Sequence, residues 1–269
     1  MKITRLFTPL ALVVGTAFAI SSCEKKEDVV AKSEISEETL TQVRALGFST
    51  TEATVVEGGV LVEGDILLTN EMLTSQPEYS MLRVGQEEQY RTTNLVNTSS
   101  GTRTITIRVS TSLPSAYITA TDELIRRYNA ENLRLRFSRV TSGGNIVLSA
   151  APSGAGYLAS AGFPSGGNPY NQVLVNSGAI GTANASTYIA TILAHEVGHC
   201  IGFRHTDYAG RQYSCGGSAV NEGASTVGAV YIPGTPTGND PNSWMLACIG
   251  SGANRPFNSN DRTALNYLY

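Results

Sequence analysis

Every histidine of this 269-residue chain lies in one stretch of eleven residues, HEVGHCIGFRH, from His195 to His205. Neutral imidazole binds transition metals through a ring nitrogen. Histidines four residues apart on a helix share a face, so His195 and His199 can hold one zinc ion at about 2.0–2.1 Å. Glu196, beside them, is placed to take a proton from water attacking a carbonyl without itself being a ligand. A straight helix would carry His205 about 9 Å beyond His199, too far to share the ion. Gly202 removes that difficulty. Glycine takes positive φ, so the helix can end there and the chain can double back beneath the metal. Three nitrogens and one open position is the arrangement of catalytic zinc. A His-Glu-x-x-His alone also arises on ordinary solvated helix faces; the third histidine and the glycine set this stretch apart.

These groups need a rigid support. STYIATILAHEVGHCIG predicts a helix with Ile189, Leu193, Val197, Cys200 and Ile201 on one side. His195 and His199 fall nearly opposite, so one face belongs to a core and the other looks into a cleft. Upstream, the pattern is α/β. RTITIRVS and LRLRFSRV alternate as half-buried strands around the helix TATDELIRRYNAEN, with Thr and Asp as its caps. NIVLSAA and QVLVNSG are two more strands, and the glycine-rich PSGAGYLASAGFPSGGNPY between them reads as an edge strand with loops. Residues 203–258 look loop-like, and SNDRTALNYLY closes the chain as a helix capped by Ser259 or Asn260.

Residues 36–98 read as a small separate segment. SEETLTQVRALGF predicts a short helix, with Ser36 as N-cap and Gly47 near its end. GGVLVEGDILLTNEML reads as a strand or hairpin interrupted at Gly64, and TTNLVNTSSGT as a linker. So small a segment is expected to dock on something larger.

His-Glu-x-x-His-x-x-Gly-x-x-His resembles the signature of the metzincin zinc peptidases. The resemblance implies a Met-turn, a methionine forming the floor under the metal, and SWMLAC supplies Met245 forty residues after His205. More closely, HEVGHCIGFRHTDY with SWMLAC is similar to the bacterial dual-action HEIGH metallopeptidases, with Val197 in place of the eponymous isoleucine. By that resemblance GYLASAGFP would be the upper rim of the cleft, pairing antiparallel with an extended peptide. Gly202-Phe203-Arg204-His205 also matches the astacin variant. Astacins, however, carry Glu where this chain has Thr206, and His-Tyr where it has Leu246-Ala247. The tyrosine that supplements their metal site is missing, leaving Tyr208, Tyr213 and Tyr231 as candidates to stabilise an oxyanion. VEGDIL resembles the Phe-x-Gly-Asp stretch of astacin propeptides, whose aspartate would make Asp65 a latency ligand. The same residues also suit an ordinary Gly-Asp hairpin turn.

The first twenty-two residues, with Lys2 and Arg5 before the apolar LFTPLALVVGTAFAI, read as a secretory leader. Ile20-Ser21-Ser22 before Cys23 resembles a lipobox, which implies lipidation of Cys23 and an extracytoplasmic protein anchored to a bacterial membrane. Charged EKKEDVVAKSEI, within 23–35, reads as a disordered stalk presenting the protein at the surface. Net charge is −3, or about −5 once Lys2 and Arg5 are lost, and no basic block exists, so nucleic acid is excluded as a partner. An oxidising compartment favours a disulfide, for which Cys215 and Cys248 in glycine-rich loops are the expected pair. Cys200 falls on the apolar face of its helix, where it can pack as a small hydrophobe, and whether it packs or pairs is not legible. No serine-nucleophile elbow, Cys-x-x-Cys, P-loop or dinucleotide fingerprint occurs, and no histidine remains for a second zinc.

The expected protein is therefore a zinc endopeptidase acting on protein or peptide substrates. Residues 99–269 would form an α/β, metzincin-like catalytic domain: a twisted mixed sheet, an active-site helix, a loop-rich C-terminal part and a final helix. Residues 36–98 would be pro-like. A surface adhesion module with structural zinc is the alternative, and Glu196 separates the two. Calcium in the Gly/Asn/Asp-rich loops, oligomeric state and cleavage specificity are not legible.

Overall fold

The computed structural model describes residues 35–46, 48–74, 89–223 and 228–269; the leader, Cys23, the stalk through residue 34 and Gly47 lie outside them. The first described helix, α1 (Glu37–Ala45), starts where Ser36 accepts from Thr39 N–H, with Glu37 and Glu38 in its positively polarised first turn. Three short strands follow, β1 (Thr54–Val56), β2 (Gly59–Val62) and β3 (Ile66–Thr69), then α2 (Asn70–Thr74) and β4 (Tyr90–Arg91). The strands form an antiparallel meander in which Val62 faces Ile66, so Glu63-Gly64-Asp65 is a three-residue hairpin loop. Positive φ at Glu63 (56°) and Gly64 (89°) makes the turn.

The second half opens with β5 (Arg103–Val109), α3 (Ala116–Ala130), β6 (Leu135–Val140), β7 (Ile146–Ala150), β8 (Ala159–Ser160) and β9 (Gln172–Val175). After the short α4 (Ser177–Ile180) comes α5 (Ser186–Ile201), then α6 (Gln212–Cys215), β10 (Val230–Tyr231) and α7 (Ser259–Leu268). The sheet is mixed, in the order β6-β5-β7-β9-β8: three parallel pairs and one antiparallel edge, β8 on β9. Its strands alternate, burying Ile105, Ile107, Leu135, Phe137, Leu148 and Val173 against Leu124 and Tyr128 of α3 and Ile189, Leu193 and Val197 of α5. One face of the sheet is therefore core. A second cluster joins Val43, Leu46, Phe48, Val60, Val62, Ile66, Leu68 and Leu73 of the N-terminal segment to Phe163 beyond β8. Both clusters lie within one compact unit, Glu34–Tyr269.

Two caps differ from expectation. Helix α3 begins at Ala116, upstream of the Thr/Asp pair. Thr121 is instead buried mid-helix, donating to Tyr117 O at 2.7 Å, and Asp122 pairs with Arg139 at 2.7 Å. Helix α7 is capped by Asn258 rather than Ser259 or Asn260, because Asn258 and Asp261 exchange side-chain bonds with each other's N–H in a capping box. Within the loop-like stretch, β10 pairs with β4 and α6 precedes Gly216; both are too short to show a period. Among the described residues, no helix is long and apolar enough to cross a membrane.

Candidate metal centre

Helix α5 is buried on every side from Tyr188 to Ile201, so its histidine face is covered rather than open to a cleft. The helix ends at Gly202, in the left-handed region at φ 112°, whose N–H reaches Gly198 O and His199 O. A Cβ at Gly202 would also fall 2.7 Å from Leu95 Cδ2, so crowding adds to the backbone's preference for glycine. The chain then runs back along β4: Thr92 N–H donates to Gly202 O (2.8 Å), Phe203 bridges to Arg91, and Arg204 N–H donates to Tyr90 O (2.9 Å). This reversal delivers His205 to the other two histidines.

The three Nε2 atoms converge on the hairpin loop. Asp65 Oδ2 lies 3.0 Å from His205 Nε2, 3.3 Å from His195 Nε2 and 3.9 Å from His199 Nε2, and the Nε2 atoms of His195 and His199 are 3.0 Å apart. Ligands held at 2.0–2.1 Å by a tetrahedral ion are about 3.3–3.4 Å from one another, so this spacing fits one metal. Each Nδ1 is engaged on the far side: His195 with Trp244 O (3.0 Å), His199 with Phe203 O (2.8 Å) and His205 with Glu222 (2.9 Å). A carbonyl or carboxylate only accepts, so each Nδ1 carries a hydrogen, and Nε2 is the nitrogen that each ring turns toward the shared position. Three imidazoles and a carboxylate are a donor set that suits zinc.

Met245 is fully buried, with Thr206 N–H donating to its carbonyl at 2.8 Å. Its sulfur reaches the helix because residue 198 is glycine: a Cβ there would stand 2.6 Å from Met245 Sδ. Asp261 holds the turn from outside, accepting from Trp244 N–H (3.2 Å) and Gln89 Nε2 (2.7 Å).

Glu196 is 2% exposed, and its Oε2, like Asp65 Oδ1, is buried without a hydrogen bond among the described residues. Burial first, and the Asp65 carboxylate second, push the Glu196 carboxyl well up. For Asp65, burial opposes ionisation, but His205 and the bonds from His195 and His205 hold it below the usual carboxylate range. His199 is driven down by burial and by His195. Burial also acts to lower His205, yet Asp65 and Glu222 lift it well above its ordinary value.

VEGDIL forms the hairpin turn, and that turn carries Asp65 to the histidines. The hairpin also extends the sheet beyond β8. Ile66 bridges Ala161 in parallel, with Ala161 N–H donating to Asp65 O and Leu67 N–H to Ala161 O, both at 3.0 Å. The three candidate tyrosines differ in their surroundings. Tyr208 packs edge-on against Tyr90, Tyr231 donates to Thr235 O (2.6 Å) and Tyr213 is 40% exposed. Tyr157, passed over in the sequence, is the buried phenol whose titration is raised by burial and by Glu196. Cys215 and Cys248 are joined by a disulfide, and Cys200 is free and buried.

The profile of the family described as dual-action HEIGH metallo-peptidase matches residues 60–269. No curated protein matches the chain. Among solved structures, two of myroilysin are similar. One has 13% identity and TM-score 0.39, covering 64% of this chain and 83% of that one. The other has 12% identity and TM-score 0.35, covering 62% and 90%.

Proposed function

Since the chain belongs to the dual-action HEIGH metallopeptidases, we propose that it is a zinc endopeptidase of metzincin type made as a latent precursor, with Glu196 as its general base. The observation that carries this reading is the convergence of three Nε2 atoms on one carboxylate, beside a buried glutamate oxygen without a hydrogen bond among the described residues. His195, His199 and His205 would hold zinc, and Met245 would floor the site. When bound, zinc polarises a peptide carbonyl and makes water acidic enough to attack near neutral pH.

The chain's own groups do the rest. Glu196 Oε2 takes a proton from the attacking water and returns it to the departing amine. Trp244 O, Phe203 O and Glu222 keep the histidines in the metal-binding tautomer. The edge at Ala161 offers backbone groups to an extended peptide.

Asp65 supports latency because it takes the position a substrate needs. The hairpin lies on the edge in the parallel sense, opposite to the antiparallel pairing that the family resemblance implies for a substrate. The leader and Cys23 support an extracytoplasmic, lipid-anchored protein.

The full chain carrying Asp65→Ala, incubated with denatured protein, tests this reading. Cleavage that a chelator abolishes and zinc restores is expected. Zinc binding without cleavage would favour a structural metal in an adhesion module.

A further inference from the structure

The hairpin that brings Asp65 to the histidines sends a second carboxylate to a different destination. Glu63, two residues earlier, is 4% exposed and held at φ 56°. One guanidinium nitrogen of Arg204, Nη2, lies 2.9 Å from both Glu63 oxygens. Arg204 is 1% exposed, sandwiched between the Phe48 and Tyr208 rings at 5.6 and 5.4 Å, and its Nη1 donates to Gly223 O at 2.8 Å. A second arginine lies over the same turn: a Cβ at Gly64 would stand 2.5 Å from Arg211 Nη2. Arg211 Nη1 pairs with Glu52 at 3.0 Å, while its Nε, buried without a hydrogen bond among the described residues, is 3.8 Å from Glu222.

The chain origin of these groups is telling. Glu63, Glu52 and Phe48 belong to the N-terminal segment, whereas Arg204, Arg211 and Tyr208 belong to the loop after the third metal-binding histidine. Glu222 is held by His205. If the segment leaves, Arg204 loses Glu63 and Arg211 loses Glu52. Arginine cannot shed its proton in a protein, and its planar fork matches a carboxylate.

We propose that Arg204 and Arg211 form a substrate pocket for an acidic side chain next to the scissile bond, and that Glu63 is its built-in occupant in the precursor. This rests on the peptidase reading and adds a substrate class to it: proteins with exposed Glu or Asp. A purely structural ion pair would make no such demand on the substrate.

Two measurements on the full chain test it. The first needs no activity. Glu63→Ala empties the seat, so propionate should raise the variant's melting temperature saturably, while isosteric propionamide and chloride should not. Wild type, and E63A carrying Arg204→Gln, should not respond. If E63A does not fold in chloride, recovery of folded protein in propionate against propionamide gives the same readout. A variant that propionate does not rescue overturns the proposal.

The second uses E63A/D65A with paired fluorogenic peptides differing only by Glu or Gln at each position flanking the cleaved bond. At one position, kcat/KM should favour Glu by about tenfold or more, and Arg211→Gln should erase most of that preference. Hydrolysis indifferent to the Glu/Gln exchange overturns the pocket while leaving the peptidase reading intact. Absence of hydrolysis sinks the peptidase reading and the substrate pocket with it, and the propionate titration then reports only that Arg204 seats a carboxylate.

Discussion

Asp65→Ala should raise the peptidase activity of the uncleaved chain by about two to three orders of magnitude. The substitution deletes a 9%-exposed carboxylate whose Oδ2 lies 3.0 Å from His205 Nε2 and 3.3 Å from His195 Nε2. Removing one partner of a buried charge pair costs about 3–5 kcal/mol. That cost falls on the docked state alone, because an undocked Asp65 is hydrated. At about 1.4 kcal/mol per factor of ten, the undocked population rises roughly 100- to 4,000-fold. Release stays incomplete. Val60, Val62, Ile66 and Leu68 remain buried, each worth about 1.5–3 kcal/mol, and Glu63 still holds Arg204. The assay is the initial rate on a quenched-fluorescent peptide with zinc-loaded protein, mass spectrometry confirming that the chain is uncut. A rate within about twofold of wild type in a folded, zinc-loaded D65A would refute the latch, since even the smallest cost above exceeds that factor by far.

Three other perturbations probe the frame. Glu222→Ala leaves His205 Nδ1 without its carboxylate and should weaken zinc binding about 10- to 100-fold by chelator competition. Gly198→Ala gains about 1 kcal/mol of helix propensity. It also pushes a Cβ to 2.6 Å from Met245 Sδ, so a net fall in melting temperature would isolate an overpacking cost of about 1–3 kcal/mol. Replacing Cys215 and Cys248 by serine opens a cross-link spanning 33 residues and should lose about 3–4 kcal/mol in denaturant titration.

The sheet, α5 and the three-histidine cluster are legible because their constraints are local: alternation, four-residue spacing, and a glycine where the helix must stop. The partners that tune the site are not. Glu222 bonds His205 across 17 residues, and Glu63 meets Arg204 across 141; in sequence each looks like a surface charge. Trp244 O and Phe203 O are backbone acceptors, and no residue type announces a backbone acceptor. Gly198 left a readable trace, a glycine inside a strong helix, yet its reason is the distant methionine. The closed histidine face was also hidden. Helical periodicity marks the face opposite the core, but it cannot say that a hairpin from another part of the chain covers it.

The central claim is that Glu196 works as the base beside a three-histidine metal. The direct measurement is Glu196→Ala in the Asp65→Ala chain, with zinc content and peptide hydrolysis read on the same sample. Zinc content should be the same in both chains, and hydrolysis lower by about 10²–10⁴-fold without the glutamate. Equal hydrolysis with and without Glu196, at equal zinc, would contradict it.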